Sequence, residues 1–212
     1  MVICNMAVEM GAKTAYVQPN QDVLNYVKAR AVRPFEVQYT DPGYEYAESH
    51  VFDVSALEPE LACPHSVENV HPLSEVIAAQ EVKLDQGYIG SCTGVREEDI
   101  AAAARILKGK HIAPYTRLII VPASSKVLSE CIKKGYIQDL MAAGATINAP
   151  GCAACLGVHE GILAPGEVCI TSTNRNFPGR MGSKEASLYL ASPATVAASL
   201  LNGRITDPRP YL

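Results

Sequence analysis

The run from Arg117 to Pro122 (RLIIVP) constrains the fold of this chain more than any other stretch. A short unbroken apolar segment, bounded by a charge and a proline, marks a strand covered on both faces, and such strands belong to parallel sheets. From about residue 82 onward, strand-like and helix-like segments alternate around it. Tyr88-Ile89-Gly90, Ala145 to Asn148 and Val168 to Ser172 read as strands. Glu97 to Leu107, acidic at its start and closed by Gly109, reads as a helix. Ser124 or Ser125 caps another through about Lys134, and a shorter one precedes Gly144. Ser192-Pro193 opens the last helix and Asn202-Gly203 ends it. This order predicts an α/β fold with a mostly parallel sheet flanked by helices.

The earlier part of the chain is less regular. Met1 to Gly11 has apolar positions at helical spacing, and Asp22 to Arg30 predicts a second helix with Asp22 at its start. Residues 33–75 offer short strand candidates at Phe35–Tyr39 and His50–Val54, with turns at Asp41-Pro42-Gly43, Pro59 and Pro64. The expected organisation is a small first α/β unit over residues 1–81 followed by a larger one over residues 82–212.

Composition excludes several function classes. The net charge of −4 over 212 residues carries no basic footprint for nucleic acid. No apolar run approaches the roughly 20 residues that span a bilayer, and the amino terminus lacks the features of a secretion signal. An odd count of seven cysteines with no export signal predicts a reducing, cytoplasmic setting in place of disulfides. Cys4, Cys131 and Cys169 lie in apolar stretches and read as small buried hydrophobes, and Cys63 before Pro64 as a packed loop residue.

The other three cysteines sit differently. Cys92 lies in Gly90-Ser91-Cys92-Thr93-Gly94, and Cys152 and Cys155 in Pro150-Gly151-Cys152-Ala153-Ala154-Cys155-Leu156-Gly157. A CxxC pair brings two thiolates to one metal centre from a single tight loop, and a distant third joins through the fold. Iron–sulfur clusters usually take four thiolates; three leave an open iron suited to Lewis-acid catalysis. Zinc is the alternative, with His65, His71 or His159 as nearest candidates for a fourth ligand. Each of these loops follows the carboxyl end of a predicted strand, where open α/β sheets bind their ligands.

These segments resemble the aconitase superfamily of [4Fe–4S] hydro-lyases, most closely the large subunit of the isopropylmalate dehydratase and homoaconitase type. Ile3-Cys4-Asn5-Met6-Ala7-Val8-Glu9-Met10-Gly11 and Ser172-Thr173-Asn174-Arg175-Asn176-Phe177-Pro178-Gly179-Arg180 complete the likeness. The resemblance implies that Cys92, Cys152 and Cys155 hold the cluster. It implies that Arg175 and Arg180 clamp substrate carboxylates, with Asn174 as a hydrogen-bond donor beside them. Asn5 and Glu9, four residues apart and hence on one face of a helix, are implied to reach the cluster edge, Glu9 near the iron-bound hydroxyl or water. The chain departs from the family pattern at Gly94-Val95, where Asn-Gly is usual, and at Ala153-Ala154, where Gly-Pro is common.

The implied substrate is a small hydroxy di- or tricarboxylate, isopropylmalate first among them. The Ile-Cys-Asn segment lies at residue 3 here but near the middle of family large subunits, so the expectation is a carboxyl-terminal half. It needs the preceding half and a small, swivelling-domain subunit as partners, and as an isolated chain it should turn over little. The rival reading is a non-catalytic or cluster-binding piece that docks to partner chains.

Overall fold

A computed structural model describes residues 1–212 in full. The chain forms two units, one of residues 3–56 and one of residues 57–212 together with the first two residues.

In the first segment, α1 (Val2–Asn5) passes into a 3-10 helix (Met6–Met10) that stops at Gly11, where φ is 79°. The single helix expected there changes its winding after Asn5. Residues three apart eclipse in a 3-10 helix, so the four-residue spacing of Asn5 and Glu9 does not have the stacked α-helical geometry expected of it. α2 (Gln21–Lys28) is capped by Asn20, whose side chain accepts from Val23 N at 3.0 Å. Asp22, expected at the start, occupies the first turn, where its charge favours the helix dipole. The strands expected at Phe35–Tyr39 and His50–Val54 do not form. Val51 is 95% exposed and Phe52 81% exposed; without a neighbouring strand to pair with, β-propensity alone orders nothing. Within residues 3–56 only Ala7 is buried.

Residues 57–212 carry β1 (Glu60–Ala62), β2 (Val70–Pro72), α3 (Leu73–Ala79), β3 (Gln86–Gly90), α4 (Glu97–Leu107), β4 (Arg117–Val121), α5 (Ser125–Lys133), α6 (Tyr136–Ala142), β5 (Ala145–Ile147), β6 (Val168–Thr171), β7 (Ser187–Leu190) and α7 (Pro193–Asn202). They build one sheet in the order β2-β1-β7-β6-β3-β4-β5. The run from β7 to β5 is parallel, while β1 pairs antiparallel with both β2 and β7. The fold is therefore α/β with a mostly parallel sheet. This unit begins upstream of the change in sequence pattern at residue 82, because β1 and β2 extend the sheet beyond β7 and Leu73 of α3 enters its core.

Strand register separates two cores. Leu118 and Ile120 of β4, Ile89 of β3 and Ile170 of β6 pack with α4, α6 and α7 in the larger one. Tyr88, Ile119, Cys169 and Leu188 point to the opposite face and meet Ala154, Leu163, Met181 and Ala186. Alternation along a strand requires this division. Helices thus cover one face, and irregular segments on either side of β6 cover the other. β3 is buried at all five positions, consistent with its place between β4 and β6.

The caps follow the sequence. Asp99 Oδ2 accepts from Arg96 N at 2.8 Å at the start of α4. Ser124 caps α5 through Val127 N, and Ser192 caps α7 through Thr195 N at 3.1 Å with Pro193 in the first turn. No helix is long and apolar enough to cross a membrane.

Candidate functional site

Because β3, β4, β5, β6 and β7 run parallel, their carboxyl ends lie along one edge, and the loops that leave it are neighbours. β3 ends at Gly90 and turns at once. Ser91 Oγ accepts from Thr93 N at 3.2 Å and lies 2.9 Å from the Thr93 hydroxyl, closing a turn that leaves Cys92 exposed at its tip. Gly94 passes the end of β6 so closely that a Cβ there would lie 3.1 Å from the Ser172 carbonyl. Val95, where a glycine was expected from the family pattern, is fully buried in the helix-covered core. Arg96 Nη2 donates to the Cys92 carbonyl at 3.3 Å.

β6 delivers the second loop. Ser172 N donates to the Tyr88 carbonyl at 3.0 Å, which carries the β3–β6 pairing one step past the strands. Asn174 is buried, and its Nδ2 donates to Thr93 Oγ1 at 2.8 Å, tying this loop to the Cys92 turn. Arg175 is half-buried. Asn176 turns the other way. It is fully buried, and its Nδ2 donates to the carbonyls of Cys63 at 2.7 Å, Ser66 at 3.2 Å and Leu188 at 3.4 Å. That places Asn176 as the pin between the β1–β2 loop and β7, a structural task that its position in an Asn-Arg-Asn motif gave no sign of.

The third loop follows β5. A 3-10 helix spans Ala153–Leu156, with Cys152 at its start and Gly157, φ 78°, at its end. Cys155 N donates to the Cys152 carbonyl at 3.1 Å, closing the turn that holds the two thiols. Ala154 is fully buried on the loop-covered face of the sheet and anchors the turn there. Ala153 takes φ 44°, a left-handed conformation that disfavours any residue with a Cβ. The Gly157 backbone approaches Arg180 closely, and a Cβ there would lie 3.1 Å from the Arg180 carbonyl.

Electrostatics shows which of these groups share a neighbourhood. Burial pushes the Cys155 thiol above its ordinary value; a hydrogen bond from Arg180 and that side chain's charge oppose the rise, and Cys152 and Cys92 add to it. Arg180, Cys152 and Cys92 thus all act on Cys155. Arg180 Nε, Ser172 Oγ and Asn148 Nδ2 are buried without hydrogen-bond partners, and Ser172 and Asn148 lie just past the carboxyl ends of β6 and β5. Buried donors in folded proteins almost always meet an acceptor, so each of the three has capacity for one.

Not every sequence candidate joins this cluster. No three His, Cys, Asp or Glu side chains converge closely enough to hold a single metal ion, His65, His71 and His159 included. His71 instead pairs its Nε2 with Asn69 Oδ1 at 2.9 Å. Cys131 and Cys169 are fully buried in the two cores, and Cys63 is a half-buried loop residue packed against the larger one, all as read from the sequence, whereas Cys4 is only half-buried. Asn5 and Glu9 belong to the unit of residues 3–56, both half-buried there. An open pocket of about 260 Å³ on α3 includes Cys63, His71 and Glu75 and none of the strand-end cysteines. The residue that sequence reasoning passed over is Tyr88, whose hydroxyl donates to the Cys152 carbonyl at 3.0 Å from 64 residues away. Nothing local to a strand tyrosine signals such a partner.

Residues 1–203 match the aconitase family (aconitate hydratase). The chain is 50% identical over 209 residues to a probable methanogen homoaconitase large subunit of Methanosarcina mazei, covering 99% of this chain and 52% of that one. It is 50% identical over 212 residues to 3-isopropylmalate dehydratase large subunit 1 of Methanopyrus kandleri, covering 100% and 50%. It is 45% identical over 208 residues to the homoaconitase large subunit of Thermus thermophilus, covering 98% and 48%. The chain thus spans about half the length of these curated relatives.

Proposed function

The chain belongs to the aconitase family, and from that premise we propose that it is the cluster-bearing half of a hydro-lyase large subunit. Its reaction is the dehydration and rehydration of a substituted malate, with interconversion of 3- and 2-isopropylmalate as the first choice. It works together with a polypeptide supplying the other half of its relatives' length and with a small subunit. The observation that carries this reading is the placement of three thiols on loops that leave one edge of the sheet, Cys92 after β3 and Cys152 and Cys155 after β5.

The donor set fits a [4Fe–4S] cluster held by Cys92, Cys152 and Cys155. It consists of soft thiols with no carboxylate among them, which suits iron–sulfur chemistry. A cluster spreads its thiolates over separate irons, so its ligands need not crowd as closely as those of a lone ion. The unpartnered buried donors at Arg180 Nε, Ser172 Oγ and Asn148 Nδ2 offer hydrogen bonds to acceptors in the same region. When bound, the cluster supplies a Lewis-acidic iron that polarises the hydroxyl to be lost.

The chain's own residues do the rest. Arg175 and Arg180 present planar guanidinium forks, whose geometry binds carboxylates bidentately. They fix which substrate carbon faces which group. Asn174, held by Thr93, keeps its amide oriented without an entropic cost at the moment of binding. Glu9 contributes a carboxylate that moves a proton at its Oε atoms, and Asn5 donates a hydrogen bond beside it. Dehydration gives an unsaturated dicarboxylate, and water added at the neighbouring carbon completes the isomerisation.

The test is an anaerobic assay of the reconstituted chain combined with the other half and the small subunit of an isopropylmalate dehydratase. Ultraviolet absorption of the unsaturated acid follows turnover. Turnover of 3-isopropylmalate that needs all three polypeptides and is lost in Arg180→Met supports the proposal. An assembled complex that neither binds nor dehydrates isopropylmalate or homocitrate overturns it and leaves the chain a docking module.

A further inference from the structure

A tyrosine in the middle of a central strand is an unusual choice, since its hydroxyl must be satisfied in the dry interior. Tyr88 is fully buried, on the sheet face covered by loops. Its ring lies under the end of its own strand: a Cβ on Gly90 would come within 2.2 Å of Tyr88 Cε1. Glycine at position 90 therefore makes room for the ring to run toward the strand's carboxyl end. The hydroxyl emerges beneath the CxxC turn and donates to the Cys152 carbonyl at 3.0 Å. The same carbonyl accepts from Cys155 N at 3.1 Å, the bond that closes the turn. A phenylalanine has nearly the same volume, so packing alone does not call for the hydroxyl.

We infer that Tyr88 is a positioning residue for the Cys152–Cys155 pair, its hydroxyl bracing the turn from below so that both thiols are presented at a fixed spacing. The turn needs such a brace. Ala153, in its middle, sits in a left-handed conformation that costs energy for a residue with a Cβ. Ala154 and Tyr88 hold the turn from the core side, and the Arg180 backbone closes on Gly157 at its end. The consequence for cofactor retention rests on the cluster reading proposed above; the bracing of the turn does not.

The test compares wild type, Tyr88→Phe and Thr116→Val in the cluster-free full chain by peptide-resolved iodoacetamide labelling. Cys155 is half-buried and Cys92 exposed, so the ratio of their labelling rates reports opening of the turn and cancels effects common to both. Thr116 Oγ1 donates to the Ala113 carbonyl at 2.7 Å, a buried hydroxyl bond at the opposite end of the sheet, and serves as the control. Tyr88→Phe should raise the Cys155-to-Cys92 ratio about fivefold, the weight of one net hydrogen bond, with no change in Thr116→Val. An unchanged ratio in Tyr88→Phe overturns the inference. So does a rise shared equally by the fully buried Cys131 and Cys169, because Tyr88 then gives general support only. In a second arm, reconstituted Tyr88→Phe should lose iron to a chelator faster than wild type. A wild-type chain that takes up no cluster ends the proposed function but leaves the labelling result, and this inference, to stand or fall separately.

Discussion

Gly157→Ala isolates how tightly the CxxC turn is seated. Gly157 has φ 78°, and an added Cβ would lie 3.1 Å from the Arg180 carbonyl, a backbone atom. Gly109, past the end of α4, has φ 69° and nothing within 4 Å of the same added atom. The two positions share the conformational penalty and differ only in space. A left-handed alanine costs about 1–2 kcal/mol. The unfolded chain gives back about 0.4–1 kcal/mol, because alanine has less freedom to lose than glycine. Gly109→Ala should therefore destabilise by about 1 kcal/mol. At Gly157 the Arg180 carbonyl must also yield by a few tenths of an ångström, and overpacking of this kind adds about 1 kcal/mol or more. The expected cost is about 2 kcal/mol, spent against the segment that carries Arg180. For a unit of this size each kcal/mol shifts the melting temperature by about 2–4 °C. Thermal melts followed by circular dichroism should thus show roughly twice the drop for Gly157→Ala that they show for Gly109→Ala. Equal drops, or a larger one at Gly109, would refute the claim that the turn rests on the Arg180 backbone.

Asn176→Ala should cost about 2–3 kcal/mol by urea unfolding, because it leaves the carbonyls of Cys63, Ser66 and Leu188 without their shared donor; a change under about 0.5 kcal/mol would contradict its role as a pin. Alkaline stability should follow Cys169, a fully buried thiol pushed up to about 12 from 9.0 by desolvation. Between those values the unfolded chain has released a proton that the native chain keeps, so stability is intact below pH 9 and falls as pH rises, by about 1.4 kcal/mol per unit for this group. Cys131, pushed up to about 11, adds to the decline. Urea unfolding at pH 8 and pH 10 should show that loss in wild type and a smaller one in Cys169→Ala; equal losses would contradict the assignment.

The elements legible in the sequence are those whose signals are local. α4 announces itself through Glu97, Glu98 and Asp99 and ends where its periodicity does, and α7 through Ser192, Pro193 and Gly203. β4 is legible because both of its faces are covered, which leaves an uninterrupted apolar run. The strand-end placement of the Cys92, Cys152 and Asn174 loops followed from the alternation of elements alone. What could not be read depends on partners distant in the chain. Phe35–Tyr39 and His50–Val54 have strand-like composition, but a strand needs a neighbour, and composition does not say whether one is present. β7 (Ser187–Leu190) is short and was passed over, although its parallel pairing with β6 fixes one side of the site. The loop-covered face was equally hidden: Ala154, Leu163 and Met181 are apolar residues in irregular segments, with no periodicity to mark them as core. Asn174 and Asn176 look alike in the motif, yet one faces the Cys92 turn and the other pins the β1–β2 loop. No fixed period relates side chains along an irregular loop, and only the fold decides which asparagine meets which partner.

The central claim is that three particular thiols hold one iron–sulfur cluster. Anaerobic reconstitution of the chain with iron and sulfide, read as bound metal, bound sulfide and visible absorption, tests it most directly. Wild type and Cys63→Ser should each take up about four irons and four sulfides per chain, and Cys92→Ser, Cys152→Ser and Cys155→Ser should each lose the absorption. Uptake that is the same in all five proteins, or absent from wild type, would contradict the account.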